Sequence, residues 1–297
     1  MSTTVLLHSI GFGLTTAAVV AIGAMGFTLQ LGVTNVLNLS FGNVMTIGAF
    51  AALIVERWHL GLLATIIAAP LAGAVVTIVL ARTLFAMYAR RRGGAFDLLM
   101  VTLAVGLILQ YGIDALAHLQ VFQFSFPSGA TVNVGPFVFT ILSLALIGFA
   151  AIVLTALLAA LHLTRMGKAL RALSVDPKLA RACGVPMRRI VNLTWIMSGA
   201  LAGLAGLVYV TNSLTVSAGS GLDFLVLVIA ASMLGGAGSP AGAVLAALVV
   251  GIASEVVAAI GGSYYSQAAG LAILALVLVL RPAARTLSGT GRDDVTI

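Results

Sequence analysis

Apolar stretches long enough to cross a bilayer follow one another through this chain with almost no charge inside them. They fall at about 9–31, 43–56, 60–81, 96–117, 137–161, 190–212, 223–234, 241–260 and 265–280. A helix needs roughly 20 residues to span the hydrocarbon, and most of these stretches provide that. Those near 43–56 and 223–234 are short and flanked by glycine, as expected of broken or re-entrant helices. Charged residues make up 8% of the sequence and hydrophobic ones 61%. A soluble domain would carry about a quarter charged residues, so there is too little polar surface here to coat a globule. The chain reads as an all-α polytopic membrane protein of eight or nine transmembrane or re-entrant helices. No long polar linker divides residues 1–297, so they are read as one transmembrane domain.

The basic residues set an expected orientation, because Lys and Arg concentrate in cytoplasmic loops. With 164–190 placed inside and the segments alternated from there, Arg82, Arg90, Arg91, Arg92, Arg281, Arg285 and Arg292 also fall inside. Fourteen of the fifteen basic residues are then cytoplasmic and Arg57 alone is outside. The N-terminus is expected outside and the C-terminus inside, which requires an odd number of crossings. The start, MSTTVLLHSIGFG, lacks a basic n-region and a small-residue cleavage site, so no cleaved signal peptide is expected. His118 to Pro136, rich in Pro, Ser and Gly, is read as an irregular outer loop.

The loop 164–190 is too patterned for a linker. It carries Arg165, Lys168, Arg171, Lys178, Arg181, Arg188 and Arg189, with Asp176 as its only acid. Asp176 is an N-cap residue, Pro177 suits the first helical position and Gly184 suits a helix end. A helix of about two turns, Pro177 to Cys183, is expected at the membrane surface, where Lys178 and Arg181 give it a basic face. Such an element suits the docking of a soluble partner.

Several function classes are excluded. The net charge of +7 does not mark a nucleic-acid binder, because the basic residues sit at the ends of apolar runs and no polar face interleaves them with aromatics. There is no Gly-x-x-x-x-Gly-Lys-Ser/Thr phosphate loop, so no ATP site of that kind is expected in the chain. His8, His59, His118 and His162 are scattered, and the single Cys183 offers neither a disulfide nor a metal cluster. An intramembrane protease around Gly238-Ser239 would need a base, and no His follows residue 162. No catalytic residue, cofactor or metal site is assigned.

Polar residues inside the apolar runs are the remaining candidates. Thr28, Gln30, Asn35, Asn38, Ser40 and Asn43 cluster in the first half. For any single one of them, backbone satisfaction and packing is the favoured reading. Together they make a candidate path, because irregular backbone in a membrane must be buried in protein or face water. The second half has its own glycine-rich break, Leu234 to Gly242, with Gly235, Gly236, Gly238 and Ser239. Alternation gives 9–117 and 190–280 opposite orientations, and paired breaks in inverted halves suggest a transporter with an inverted repeat. Among the acids, Asp97 and Asp223 are expected at helix starts, and Asp114 and Glu255 near external ends with their heads in the interface. Gly199, Gly203 and Gly206 form a small-residue packing face.

Three motifs carry a resemblance across nearly the whole chain: Leu29 to Phe50, Thr164 to Val185 followed by the small-residue helix, and Met233 to Ala243 with Arg281-Pro282 closing the last helix. In these it resembles the permease subunits of bacterial branched-chain amino acid ABC importers, a group that includes urea and amide permeases. The resemblance implies a bacterial inner-membrane importer. A periplasmic binding protein selects the cargo, two permease subunits form the path as a homo- or heterodimer, and two cytoplasmic ATPases consume ATP with Mg. It also implies that Asp176 to Gly184 is the coupling helix. The polar cluster and the paired breaks give the expected path residues: Asn35, Asn38, Ser40, Phe41, Asn43, Gly235, Gly236, Gly238 and Ser239.

One position departs from the family pattern. Members commonly read Asn-Phe-Ala-His-Gly where this chain has Asn38-Leu-Ser-Phe-Gly42, with Phe41 in place of the histidine. That leaves branched-chain amino acids, other amino acids, amides, urea and aromatic acids open as cargo. The competing reading is a stand-alone secondary transporter or channel.

Overall fold

The computed structural model describes residues 3–85, 95–118, 120–124, 131–134, 137–236, 238–262 and 265–280. Arg90, Arg91, Arg92, Arg281, Pro282, Arg285 and Arg292, used in the sequence reading, lie outside the described residues, as do 125–130 and 135–136 of the outer loop.

Eleven α-helices are described: α1 (Thr3–Thr34), α2 (Phe41–Arg57), α3 (Leu62–Leu80, continued by a π turn Ala81–Phe85), α4 (Ala95–Ala117), α5 (Ile141–Leu163), α6 (Arg165–Val175), α7 (Pro177–Ala182), α8 (Met187–Ser213), α9 (Ser220–Gly235), α10 (Pro240–Gly261) and α11 (Tyr265–Leu280). Nine of them coincide with the nine apolar runs. Six, namely α1, α3, α4, α5, α8 and α10, are long and apolar enough to cross a membrane. The runs expected to be short become the 17-residue α2 and the 16-residue α9. At a rise of about 1.5 Å per residue, each is roughly 25 Å long.

The 118–136 loop is more regular than its composition suggests. It holds β1 (Phe122–Gln123) and β2 (Thr131–Val134), and β2 pairs antiparallel with β3 (Phe137–Thr140), which opens the next apolar run. β1 pairs antiparallel with β4 (Thr215–Val216), with Phe122 opposite Val216, so this loop is tied to the far end of α8. The loop 164–190 likewise contains one helix more than expected. α6 begins where the Thr164 hydroxyl accepts the Gly167 N–H at 3.1 Å, and Leu170 and Leu173 then pack into the core.

α1 and α8 form the centre of the bundle. Ala17, Val19, Val20, Ile22, Ala24 and Met25 of α1 are all buried, as befits a helix apolar on every side. The two run antiparallel: Gly23 lies by Ala205, and Gly26 by Leu201 and Ser198. α8 crosses α2 and α3, and α1 crosses α9 and α10, so the two halves repeat one packing scheme in opposite directions. The small-residue face of α8 meets neighbours in this same chain: Gly199 touches Gly73 and Thr77, Gly203 touches Gly48 and Ala69, and Gly206 touches Met45. Without a hydrophobic drive between helices in lipid, such close backbone approach supplies the packing that holds them.

The breaks of the repeat are not the pair that the glycine pattern suggested. α1 ends with Asn35 in the left-handed conformation (φ 54°), and α8 ends with Leu214 in the same one (φ 55°). After each, a short non-helical stretch leads to a short helix, α2 at Phe41 and α9 at Ser220. Equal spacings separate Asn35 from Leu214, Phe41 from Ser220 and Gly42 from Gly221. The counterpart of 35–40 is therefore 214–219. The glycine-rich stretch instead spans the junction of α9 and α10, where Gly236, Gly238 and Ser239 lie between the two helices, matched in position by the Trp58–Gly61 turn between α2 and α3.

Candidate translocation site and coupling loop

The first turns of α2 and α9 meet where Gly42 packs against Gly221. The C-terminal end of α2 reaches β1, with Phe50 and Phe122 in an edge contact at 5.8 Å and Arg57 4.8 Å over the Phe122 ring. The other end of α9, at Gly235, packs against Gly242. The meeting point thus lies between the two ends of the bundle, and the positive ends of two helix dipoles converge there.

Most polar groups at the breaks serve the backbone. The Asn38 carboxamide oxygen accepts the Ser40 N–H at 3.1 Å and the Ser40 hydroxyl at 2.6 Å. Thr102 of α4 accepts the Leu39 N–H at 3.3 Å, and its hydroxyl stands 3.2 Å from the Leu37 carbonyl. In the second break, the Ser217 N–H donates to the Ser220 hydroxyl at 3.0 Å. Thr46 reaches across from α2 and accepts the Gly221 N–H at 3.0 Å, satisfying a first-turn donor of α9. Sequence reading missed Thr46 and Thr102. Each is a hydroxyl inside an apolar helix, and only the fold brings it to a break.

Asn38, Ser40, Phe41 and Asn43 are all buried, whereas Asn35 is exposed. Phe41 packs edge-on against Phe27, with ring centroids 5.5 Å apart. Asn43 differs from its neighbours: it is fully buried, and neither its Nδ2 nor its Oδ1 has a hydrogen-bond partner among the described residues. Deeper in the core, Gln30 accepts the Ser198 hydroxyl at 2.9 Å, and the Thr28 and Ser232 hydroxyls lie 2.6 Å apart.

The glycine-rich turn faces α1. A methyl group on Gly32 would stand 2.6 Å from the Gly238 Cα, so the two backbones touch. Gly236 (φ 101°) and Gly238 (φ 84°) hold conformations that disfavour a side chain. The Ser239 hydroxyl accepts the Gly242 N–H at 3.3 Å and so caps α10, and Pro240 follows as its first residue. A cavity of about 210 Å³ opens beside this contact, lined by Thr28, Gly32, Leu161, His162, Arg171 and Ser239 among others. On its α6 side, Arg171 Nη1 donates to His162 Nδ1 at 2.9 Å.

The loop 164–190 has the predicted cap. Asp176 Oδ1 accepts the N–H groups of Lys178 (2.9 Å) and Leu179 (3.0 Å), and Pro177 opens α7. α7 ends one residue earlier than expected, at Ala182. Gly184 follows with φ 81°, its N–H donating to the Arg181 carbonyl at 3.0 Å. Ala180 anchors α7 inward, while Lys178, Arg181, Leu179 and Val175 are exposed. The exposed tip is therefore apolar with a basic rim, and it rests on α6, whose buried leucines join the cavity region.

The acids also find places. Asp97 is in the first turn of α4, and Asp223 is exposed in the first turn of α9, where Gly219, not Asp223, is the capping residue. Glu255 is half-buried and accepts the Thr16 hydroxyl at 2.8 Å, so it braces α10 against α1 where the sequence suggested an interfacial head. Among the described residues, no three His, Cys, Asp or Glu side chains are grouped to hold a metal ion.

Residues 9–281 match the family model described as the permease component of branched-chain amino acid transport systems. The chain is 29% identical to a probable branched-chain amino acid transport permease, LivH, of Methanocaldococcus jannaschii, over 87% of this chain and 85% of that one. It is 26% identical to the high-affinity branched-chain amino acid permease BraD of Pseudomonas aeruginosa, covering 91% and 92%. The ribose import permease RbsC of Escherichia coli matches at 32% over 40% of this chain and 39% of its own. Among solved structures, PsaBC from Streptococcus pneumoniae shares the fold, with a TM-score of 0.52 at 16% identity over 95% of each chain.

Proposed function

This chain belongs to the family of branched-chain amino acid transport system permease components, and we propose that it forms the membrane path through which an ATP-driven importer moves amino acids of the branched-chain type. A second permease subunit completes the path. Two cytoplasmic ATPases, with ATP and Mg, supply the energy, and this chain has no nucleotide site of its own. A periplasmic binding protein delivers the cargo and holds most of the selectivity. The chain sits in the inner membrane with its N-terminus outside and its C-terminus inside. The full-length relatives LivH and BraD support amino acids over the alternatives in the family, which are urea, amides and aromatic acids.

The observation that carries the reading is α7. A capped helix of six residues, apolar at its tip and basic at its rim, is held outside the bundle by α6. Nothing in the packing of the bundle requires the exposed Leu179 side chain. A groove on a soluble partner would cover it. Force applied to α7 passes through Leu170 and Leu173 to α1 and α5, next to the Gly32–Gly238 contact.

The reading is tested by mild-detergent purification of the tagged chain from its native membrane. An ATPase and a second permease are expected to co-purify, and the ATPase is expected to be lost when residues 174–186 are replaced by a flexible segment. Recovery of the intact chain alone, with substrate flux through it in liposomes, would overturn the reading in favour of a stand-alone carrier.

A further inference from the structure

α4 lies across both converging helix starts. Three of its residues, spaced four apart and so on one face, make the contact. Thr102 holds the backbone at Leu37 and Leu39. Gly106 covers the first turn of α2: a methyl group there would stand 3.2 Å from Asn43 Nδ2 and 3.5 Å from the Ser40 Cα. Gln110 approaches Gly219, the residue before α9, its Nε2 being 3.9 Å from a methyl placed there. On its other sides α4 exposes Leu103, Leu107, Ile108 and Tyr111, and within this chain it is packed mainly on α2.

Beneath Gly106, Asn43 has lost water from both ends of its carboxamide and gained no partner for either among the described residues. Burying such a group unpaired costs free energy that an alanine or leucine would not incur. The packed arrangement therefore does not account for an amide at this position, whereas an arrangement with α4 lifted would. An amide offers a donor and an acceptor together. The neighbouring starts of α2 and α9 favour negative charge, and half-helix N-termini facing a mid-membrane site suit anionic groups of a cargo. The exposed Asp223 carboxylate, in the first turn of α9, supplies the opposite charge.

We propose that Asn43 belongs to an occluded cargo site at the crossing of α2 and α9, closed here by Gly106 of α4, and that this site takes the α-carboxylate of a zwitterionic amino acid. The inference rests on the importer reading and adds the position, the moving element and the chemistry. When α4 swings away, Asn43 Nδ2 and the first-turn N–H groups of α2 donate to the carboxylate. Asn43 Oδ1 accepts from the ammonium group.

The test uses the assembled importer in proteoliposomes, starting from a Cys183→Ser parent, since Cys183 is the only cysteine. ATP-driven leucine uptake is first measured in the native importer and then in that parent, because Cys183 ends α7. Asn43→Cys is then added, and its reaction with 2-sulfonatoethyl methanethiosulfonate is followed. The labelling rate is expected to rise at least tenfold when ATP and Mg are supplied. Leucine should slow it severalfold, and leucinamide, which lacks the carboxylate, should not. Gly106→Cys, on the other side of the contact, should show the same ATP dependence and covers the case in which Asn43→Cys fails to assemble. Labelling that is equally fast without ATP, or absent with it, in a preparation whose parent takes up leucine overturns the proposal and leaves the importer reading standing. Equal protection by leucinamide overturns the carboxylate assignment. A native importer that assembles with an ATPase yet shows no ATP-driven uptake of any amino acid removes the importer reading and this inference with it.

Discussion

Gly42 and Gly221 pack so closely that a methyl group on Gly42 would stand 2.7 Å from the Gly221 carbonyl oxygen. This contact joins the two short helices of the repeat at their first turns. Gly42→Ala or Gly221→Ala should force α2 and α9 apart, at a cost of about 1–3 kcal/mol for overpacking. The expected result is a melting temperature lower by roughly 2–8 °C, read by thermal denaturation of the detergent-purified complex, with Gly42→Ala, Gly221→Ala and the double change less than additive because they strain one contact.

Asp176 caps α7 through two backbone N–H groups. Asp176→Ala should cost the helix about 1 kcal/mol. Global unfolding should barely change, because α7 is peripheral. The ATPase should bind more weakly, by about fivefold if the whole capping loss is felt on docking. Asp176→Asn and Asp176→Ser, which also accept at this position, should retain most of the binding. Titration of the ATPase against the reconstituted permease checks this.

Gly184 ends α7 in the left-handed region at φ 81°. Asn tolerates that region better than other residues with side chains, and β-branched residues tolerate it worst. Gly184→Asn should therefore couple ATP hydrolysis to uptake nearly as the native chain does, while Gly184→Val should leave the protein inserted and lower the ratio of amino acid moved to ATP consumed. Similar ratios for the two variants would show that the loop ending is not read by the partner.

Phe41 is buried against Phe27. Phe41→Leu should destabilise by about 1–2 kcal/mol through lost packing. The order of preference among leucine, isoleucine and valine should be unchanged in uptake assays. A changed order with an unchanged melting temperature would place Phe41 on the cargo route.

Much of this was legible in the sequence because membrane helices announce themselves by length and apolarity. All nine runs became helices, and the Asp-Pro and Gly signals of α7 became a cap and a left-handed ending. The partner of the first break was not legible. Glycine content drew attention to 234–242, but a fold repeat is carried by chain reversals, and the reversal at Leu214 uses a leucine in a conformation that favours glycine. α6 was hidden by its charge, since its core anchorage rests on a few residues such as Leu170 and Leu173. Thr46, Thr102 and Gly106 matter only through contacts with distant segments, which spacing along one helix does not reveal. Asn43 was flagged with its polar neighbours, yet Asn38 and Ser40 turned out to bond each other and the backbone while Asn43 did not.

The central claim is that this chain moves cargo only when a partner ATPase drives it through α7. The direct measurement is uptake of radiolabelled leucine into proteoliposomes holding the complete importer with its binding protein, compared with the same importer carrying Asp176→Ala and Gly184→Val together and with this chain alone. ATP-dependent accumulation is expected for the native complex, accumulation reduced at least tenfold for the double variant although it inserts and folds, and none for the chain alone. Full accumulation by the double variant, or leucine flux through the chain alone without ATP, would contradict it.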